Sequence, residues 1–263
     1  MVVQGGGRRG RRAGLAGVLW AAGEMAVTVG VVVLLLVVHQ VWWTNRQAVA
    51  AAQERVQVLE SEWNGLEDDV PVDVVSTPGA ADSGADPGTV PVPVPGPAES
   101  GAAPSATPPR AAAKPPARDE AYAVLRVPRI GLVVPVAQGV DKRAVLDKGY
   151  AGHYPGTGQP GAQGNFALAG HRNTHGEPFR YINRLRAGDE LLVDVRGRRY
   201  VYVVEKVLSE TSERDVGVLA PVPRSVVKPE YGYSEPGAYI TLTTCTPEYS
   251  SKYRLVVWGK LKE

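Results

Sequence analysis

Cys245 is the only cysteine in the 263 residues, and it lies in the threonine-rich segment TLTTCTP. Without a partner for an intramolecular disulfide, a single cysteine is an inert buried side chain, a reactive thiol or half of an intermolecular disulfide. Two features favour a reactive thiol. Thr243 and Thr244 give it polar neighbours, and Thr246–Pro247 is expected to lead the chain out of its strand, where reactive groups are common.

Arg254 is a candidate partner for this thiol. If Ile240–Cys245 and Arg254–Trp258 pair as an antiparallel hairpin about PEYSSKY, Cys245 and Arg254 lie nearly opposite each other. A guanidinium there could lower the thiol pKa from its ordinary value of about 8.5 and donate hydrogen bonds to a developing oxyanion. Without the cysteine, the same arginine would be interpreted as a surface residue of a strand.

Cysteine catalysis also needs a group that accepts and donates protons, normally histidine. His171 directly follows an apolar strand and a glycine, His153 lies in a loop rich in Gly and Pro, and His175 lies in a polar loop. Position alone favours them in that order. The spacing of His171 and His175 also suits zinc, but the Glu of H-E-x-x-H is missing and the segment does not look helical. We therefore predict no metal ligands and no cofactor.

The elements that must position these residues begin at about Asp119, where short apolar runs alternate with Gly and Pro. The clearest hairpin is ELLVDVRGRRYVYVVEKV, with a turn near Gly197. Helical pattern is limited to Lys142–Asp147 and one turn near Tyr181–Leu185. The predicted strands are Ala123–Val127, Val133–Val136, Asn165–Ala169, Glu190–Val195, Tyr200–Val207, Ala238–Thr244 and Arg254–Lys260. Roughly seven or eight short strands predict an all-β domain at residues 119–263, either a closed barrel or a sandwich.

Residues 25–43, MAVTVGVVVLLLVVHQVWW, predict a transmembrane signal anchor, because the run is long enough to cross a bilayer and carries no full charge. Residues 1–24 form a basic tail, which the positive-inside rule places in the cytoplasm, and Trp42 and Trp43 suit the membrane interface. A cleaved signal peptide is the weaker alternative, because the run is too long and lacks a small-x-small cleavage site. A buried element of a soluble protein fits least, because VVVLLLVV has no polar face.

Two segments connect this anchor to the domain. Residues 44–69 predict a short juxtamembrane helix, and residues 70–118, rich in Pro, Ala and Gly, predict a disordered linker. In polyproline II form this linker could reach on the order of 150 Å, so it is expected to carry the domain away from the outer membrane surface. The net charge of +2 gives no argument for a nucleic-acid partner.

Several blocks of residues 122–262 resemble the sortases, membrane-anchored cysteine transpeptidases of Gram-positive bacteria. The matching blocks, in the family's order, are LRVPRIGLVVPV, GHYPGT, PGAQGNFALAGHR, GEPF, LRAGDELLV and TLTTCTP with YRLVVWG. The TTCTP and GHYPGT blocks, with an Ala/Gly/Val/Arg-rich composition, are most similar to class E enzymes of actinobacteria. The resemblance implies a closed eight-stranded β-barrel with short helices.

The resemblance also implies roles for individual residues. Cys245 would be the nucleophile, His171 the general acid/base and Arg254 the group that stabilises the oxyanion and binds substrate. The residues expected to contact the substrate are Thr244, Thr246, His153 and Tyr154. Thiolate and imidazolium would be a minority state, so the cysteine and histidine need not be tightly hydrogen-bonded at rest.

The implied reaction cleaves a C-terminal LAXTG- or LPXTG-type sorting signal between Thr and Gly through a thioacyl intermediate. A peptidoglycan precursor or a pilin lysine then supplies the accepting amine. The partners would be surface proteins bearing this signal, with the enzyme a monomer in the plasma membrane and its catalytic domain outside. Two alternatives are an L,D-transpeptidase, disfavoured because no histidine closely precedes Cys245, and a non-catalytic membrane-tethered scaffold that binds the cell wall.

Overall fold

A computed structural model describes residues 9–68 and 116–262 of the chain. These residues form one long helix, four single-turn 3₁₀ helices and eight strands. The helix and strands are α1 (Arg9–Asp68), β1 (Ala121–Val127), β2 (Leu132–Gln138), β3 (Ala151–His153), β4 (Gly164–Ala169), β5 (Glu190–Val195), β6 (Arg198–Ser212), β7 (Ala238–Thr246) and β8 (Tyr253–Leu261).

The eight strands close into one barrel in the order β1-β2-β3-β4-β7-β8-β6-β5, with β5 pairing back onto β1. Two neighbouring pairs, β2 with β3 and β4 with β7, are parallel, and the others are antiparallel. Closure leaves no unpaired sheet edge, which suits a domain built from short strands. The prediction of a closed eight-stranded β-barrel is confirmed.

The barrel interior is filled by alternate residues of the strands. Phe166 and Leu168 of β4, Ile240 and Leu242 of β7 and Val257 of β8 belong to one buried cluster. Successive strand residues point to opposite faces, so the residues between them project outward. This alternation determines which side chains near Cys245 can contact a substrate.

Seven of the eight strands were predicted from the apolar runs, and the hairpin turn has the expected chemistry. Arg196 and Gly197 join β5 to β6 with φ angles of 46° and 75°, the left-handed pair that a tight hairpin turn requires. β3 was missed because it has only three residues and lies among glycines. β6 extends further than predicted, to Ser212, and two register shifts against β8 interrupt it.

α1 is one continuous helix across the predicted anchor and juxtamembrane segments. Its apolar part is long and hydrophobic enough to cross a membrane, and its side chains are exposed all round, including Leu34 and Leu35. From Asn45 onward one face of α1 contacts the barrel. The predicted linker, residues 70–118, lies outside the described residues apart from its last three.

Asp215 organises the long connection between β6 and β7. Its buried carboxylate accepts hydrogen bonds from the hydroxyl of Thr211 at 2.6 Å and from the main-chain N–H of Val226 at 2.8 Å. The hydroxyl of Ser225 donates a third hydrogen bond to the same carboxylate. One side chain therefore ties the end of β6 to a segment ten residues further along the chain.

Replacing Asp215 with Ala is expected to lower the free energy of unfolding by roughly 3 kcal/mol, because it leaves buried donors without an acceptor. Asp215→Asn retains one acceptor oxygen and should lose less. Urea denaturation of the purified protein measures both, with Glu230→Ala as the control because Glu230 is an exposed acidic residue in the same connection. Equal stability of the Asp215→Ala and Glu230→Ala variants would contradict this role.

Candidate active site

Cys245 is the last residue but one of β7, and its side chain is partly exposed. Ile240 and Leu242 point into the barrel core, so the alternation along β7 places Thr243 and Cys245 on its outer face. The thiol is therefore available to an incoming molecule at one end of the barrel. It is also unpaired, because no second cysteine exists.

Arg254 lies directly opposite Cys245 in the antiparallel pairing of β7 with β8. This confirms the register inferred from the hairpin, and residues directly opposite each other share one face of the sheet. The Arg254 guanidinium donates hydrogen bonds to the carbonyl oxygens of Ser251 at 2.7 Å and Tyr253 at 3.0 Å. Its second terminal nitrogen lies 3.5 Å from a carboxylate oxygen of Glu213. These contacts hold it beside the β7–β8 loop.

His171 comes to the same end of the barrel through β4. This strand runs parallel to β7 with Ala169 opposite Thr243, and the N–H of Gly170 donates to the carbonyl oxygen of Thr243 at 3.1 Å. Two residues beyond this pair, His171 leaves the strand at the level of Cys245. The sheet register therefore places His171 and Arg254 at the same end of the barrel as Cys245. In the sequence, His171 precedes Cys245 by 74 positions and Arg254 follows it by nine.

Asp147 fixes the orientation of the His171 ring. The Nε2 atom of His171 lies 2.8 Å from Oδ1 of Asp147, which belongs to the single-turn helix Leu146–Lys148. An ionised carboxylate only accepts hydrogen bonds, so Nε2 carries the proton and Nδ1 keeps the lone pair of the neutral ring. Nδ1 is therefore the nitrogen available for proton transfer.

Burial of the His171 ring lowers its pKa below the ordinary value of 6.5. The hydrogen bond and negative charge of Asp147 act in the opposite direction, and the nearby His175 and Lys142 add to the lowering. At neutral pH the ring is therefore neutral. A neutral imidazole can accept a proton from a thiol, as a general base must.

His175 completes a small polar cluster with these two residues. Its Nδ1 atom lies 3.5 Å from Oδ1 of Asp147, and its ring centroid is 5.3 Å from that of His171. One ligand atom from each of Asp147, His171 and His175 lies within 4.8 Å of the other two, and among the described residues this is the group that could hold a metal ion. Two imidazoles and a carboxylate are ligands that zinc accepts.

Arg172 supports the end of β7 and was not singled out by the sequence. Its guanidinium is buried and donates hydrogen bonds to the carbonyl oxygen of Cys245 at 3.2 Å and to the hydroxyl of Thr246 at 2.8 Å. It thereby ties the loop after β4 to the residue that carries the thiol. Its position next to His171 in the sequence was the only available indication of this contact.

Four residues were predicted to contact a substrate, and the structure places three of them around β7. Tyr154 lies near the outer face, where its hydroxyl is 3.1 Å from that of Thr243. Thr244 and Thr246 alternate with Cys245, and the Thr244 hydroxyl donates to the carbonyl oxygen of Gly170 at 2.8 Å. Thr243, Thr244 and Thr246 are all buried, whereas Tyr154 is partly exposed and is therefore the best placed of these residues to contact a molecule bound at Cys245.

His153, the fourth of these residues, is fully buried in β3. Its Nε2 donates to the carbonyl oxygen of Gly158 at 3.0 Å, and the hydroxyl of Tyr122 lies 2.8 Å from Nδ1. Both ring nitrogens are thus used inside the barrel wall, which favours a structural role. The sequence could not indicate this, because it placed His153 in a loop and missed β3.

A cavity of about 260 Å³ lies elsewhere, between the β3–β4 loop and the β6–β7 connection. Its lining includes Thr157, Gly164 and Pro221. Gly164 begins β4 and pairs with Ala238 at the start of β7, the end opposite to Cys245. This cavity is therefore distinct from the cluster around the thiol.

Comparisons with known proteins agree on one family. The family model described as the sortase domain matches residues 125–262. Sortase SrtE1 of Streptomyces coelicolor is 40% identical over 249 residues, which cover 92% of this chain and 57% of that protein. Sortase SrtE2 of the same organism is 34% identical over 263 residues, which cover 97% of this chain and 87% of that protein. The chain thus spans little more than half the length of the first relative.

One solved structure gives the same result for the barrel. The crystal structure of sortase E1 from Streptomyces coelicolor, with a tripeptide in the active site, aligns with a TM-score of 0.52 at 48% identity. The alignment covers 57% of this chain and 92% of that chain. The part of the chain that aligns corresponds in extent to the barrel domain.

The buried His153 predicts a dependence of stability on pH. Burial lowers its pKa from 6.5 to about 4. Its neutral form therefore stabilises the folded state fully above pH 6.5, and this contribution of roughly 3 kcal/mol is lost as the pH falls through the folded pKa. Urea denaturation between pH 7 and 4 measures the loss, and His153→Gln should flatten the dependence. An unchanged slope in that variant would contradict the assignment.

The Asp147–His171 contact predicts a second pH effect. Asp147→Asn removes the carboxylate that raises the His171 pKa, so the pKa should fall further below 6.5. NMR titration of the His171 ring in the purified protein measures the shift, with Asp141→Asn as the control because Asp141 is an exposed carboxylate on the same loop. A His171 pKa that rises or stays constant in Asp147→Asn would contradict the electrostatic role of this carboxylate.

Proposed function

Because the chain belongs to the sortase family, we propose that it is a membrane-anchored cysteine transpeptidase that acts on a C-terminal sorting signal. The observation that carries this proposal is the strand register, which pairs Arg254 with Cys245 and brings the end of β4, just before His171, to the level of Cys245. A nucleophile, a neutral imidazole and a fixed guanidinium are the groups that acyl transfer needs. They come from three different strands or strand ends, and the sheet register supports their meeting.

In the first step, the thiolate of Cys245 attacks the carbonyl carbon of the Thr in the sorting signal. His171 takes up the thiol proton through Nδ1, while Nε2 remains hydrogen-bonded to Asp147. The negative charge that develops on the carbonyl oxygen is stabilised by the Arg254 guanidinium, which shares the face of Cys245. The tetrahedral adduct then expels the Gly amine, which receives the proton from His171, and a thioacyl-enzyme remains.

The second step reverses the roles of these groups. An incoming amine attacks the thioester carbonyl, His171 removes a proton from that amine, and the Cys245 sulfur leaves and regains its proton. The product carries a new amide bond between the Thr carbonyl and the acceptor. A peptidoglycan precursor or a pilin lysine supplies the amine in this proposal.

Substrate contacts are assigned to the outer face of β7. The Tyr154 hydroxyl lies there, 3.1 Å from that of the buried Thr243, and an extended peptide passing Cys245 would meet Tyr154. Thr244 and Thr246 are assigned a supporting role, because the Thr244 hydroxyl donates to the carbonyl oxygen of Gly170 and the Thr246 hydroxyl accepts from the Arg172 guanidinium. The sorting signal is assigned to the LAXTG type, with LPXTG as the related sequence, on the resemblance to class E enzymes.

The proposed location of the enzyme in the plasma membrane rests on the apolar part of α1. Its apolar part could span a membrane, and the arginines at the N-terminus favour a cytoplasmic tail with the barrel on the outer side. The partners are then surface proteins that carry the sorting signal and are still held in the same membrane. Residues 1–24 form the tail, 25–43 the anchor and 119–263 the catalytic domain in this proposal.

Mass spectrometry of the full-length protein mixed with LAXTG and LPXTG peptides tests the proposal. The wild type should gain the mass of the N-terminal peptide fragment less one water, the signature of a thioester on Cys245. Cys245→Ala removes the nucleophile and should show neither adduct nor product while keeping the fold. His171→Ala and Arg254→Ala should each lower turnover by roughly a hundredfold or more, because each removes a group from the transition state.

Cys245→Ser and Arg198→Ala serve as controls. Cys245→Ser retains the shape of the site with a weaker nucleophile, whereas Arg198 is an exposed residue at the start of β6, the end of that strand remote from Arg254. Arg198→Ala should therefore react like the wild type. Product formation by Cys245→Ala at the wild-type rate would rule out the mechanism.

A further inference from the structure

The extramembrane part of α1 presents one narrow apolar stripe to the barrel. Ala48, Ala52, Val56, Leu59 and Trp63 are each less than 9% exposed, whereas the residues between them face solvent or lie at the margin of the contact. Their spacing of three or four positions is that of one helix face. Because these apolar side chains are buried against the domain, this segment of α1 packs on the barrel and does not stand free of it.

The stripe packs on β1, β2 and the segment that follows β2. Val56, Leu59 and Trp63 form a buried cluster with residues that include Val124 of β1 and Val145 of the segment after β2. Polar contacts flank the cluster. Arg55 donates to the carbonyl oxygen of Ala121 at 3.3 Å, and Glu60 forms an ion pair with Arg126.

The membrane-proximal end of the stripe lies against the loops of the candidate site. The side-chain oxygen of Asn45 accepts a hydrogen bond from the N–H of Gly176 at 2.6 Å, and Gly176 directly follows His175. Gly149, two residues after Asp147, approaches so closely that a Cβ on it would lie 3.1 Å from the carbonyl oxygen of Ala48. Its φ of 79° also suits glycine. α1 therefore contacts both loops that hold the His171 ring in place.

The contact between Asn45 and Gly176 determines how far the candidate site lies from the predicted membrane anchor. Asn45 follows the last residue of the predicted anchor, Trp43, by two positions, a rise of about 3 Å along a helix. Arg46 stacks over Trp42 at 4.3 Å, a contact that suits an interfacial position. The histidine side of the site is thus held within about one helical turn of the anchor.

We propose that residues Asn45–Trp63 of α1 are a docking helix that supports the His171 and Asp147 loops and holds the active site at the membrane surface. The enzyme then acts on sorting signals that lie close to the bilayer, not on sites reached by the full length of a tether. In this proposal the domain stays at the membrane surface, whereas the composition of the linker alone predicts that it carries the domain away. The inference rests on the proposed function, because that function gives His171 its role.

A matched pair of substitutions tests the support of the histidine loop. Ala52→Glu places a carboxylate in the buried stripe, whereas Ala51→Glu makes the same change one residue away on the exposed side of α1. With a soluble sorting peptide and the full-length protein, Ala52→Glu should lower kcat roughly tenfold and change the acid limb of the pH profile. Ala51→Glu should match the wild type. Equal kcat values and pH profiles for the two variants would overturn the proposal.

Asn45→Ala provides a milder second test, because it removes one hydrogen bond and leaves the apolar stripe intact. It should lower kcat without raising KM, and the exposed Gln47→Ala should have no effect. This test applies even if Ala52→Glu disturbs folding. Asn45→Ala with the kcat and pH profile of the wild type would overturn the claim that α1 supports the His171 loop.

The height of the site is tested by lengthening α1. Seven helix-forming residues inserted after Trp43 add about 10 Å and nearly two full turns, so the docked face is preserved. In vesicles, turnover of a sorting peptide anchored in the same membrane should fall roughly tenfold, while turnover of the soluble peptide stays unchanged. Unchanged turnover of the anchored peptide would contradict the proposed height. A wild type that turns over neither peptide would instead refute the proposed function itself.

Discussion

The parallel pairing of β4 with β7 is the constraint on which the site depends. Ala169 lies opposite Thr243, so two residues later the chain leaves β4 at the level of Cys245. The antiparallel pairing of β7 with β8 then fixes Arg254 on the other side. A shift of either pairing by one residue would turn a side chain to the opposite face of the sheet. The apolar residues of both strands prevent this shift, since they are buried in the barrel core.

The histidine is held from outside the barrel wall as well as by its own strand. Asp147 orients the His171 ring and offsets part of the effect of burial on the His171 pKa. The loops of Asp147 and His175 in turn contact α1 through Gly149 and Gly176. A chain of contacts therefore links the predicted anchor to His171, the residue to which we assign proton transfer, so in our proposal one helix serves both the chemistry and the membrane attachment.

Much of this arrangement follows from the sequence because it depends on short-range pattern. Seven strands, one hairpin turn and the opposition of Cys245 and Arg254 follow from alternating apolar residues and loop length. The contributions of Asp147 and Arg172 depend on contacts between segments distant in sequence, and no local pattern reports them. The burial of His153 could not be predicted, because it lies in β3 and this three-residue strand is too short to be recognised from the sequence. The docking of α1 required knowing which barrel face lay opposite its apolar stripe, and this emerged only from the closed sheet.

The central claim is that the β4–β7 register places the His171 ring beside the Cys245 thiol. The alkylation rate of Cys245 by iodoacetamide, measured against pH in the full-length wild type and in His171→Ala, tests it most directly. We expect an inflection below pH 6.5 in the wild type, where protonation of His171 alters the reactivity of the thiol, and the loss of this inflection in the variant. Identical profiles for the two proteins would contradict the account.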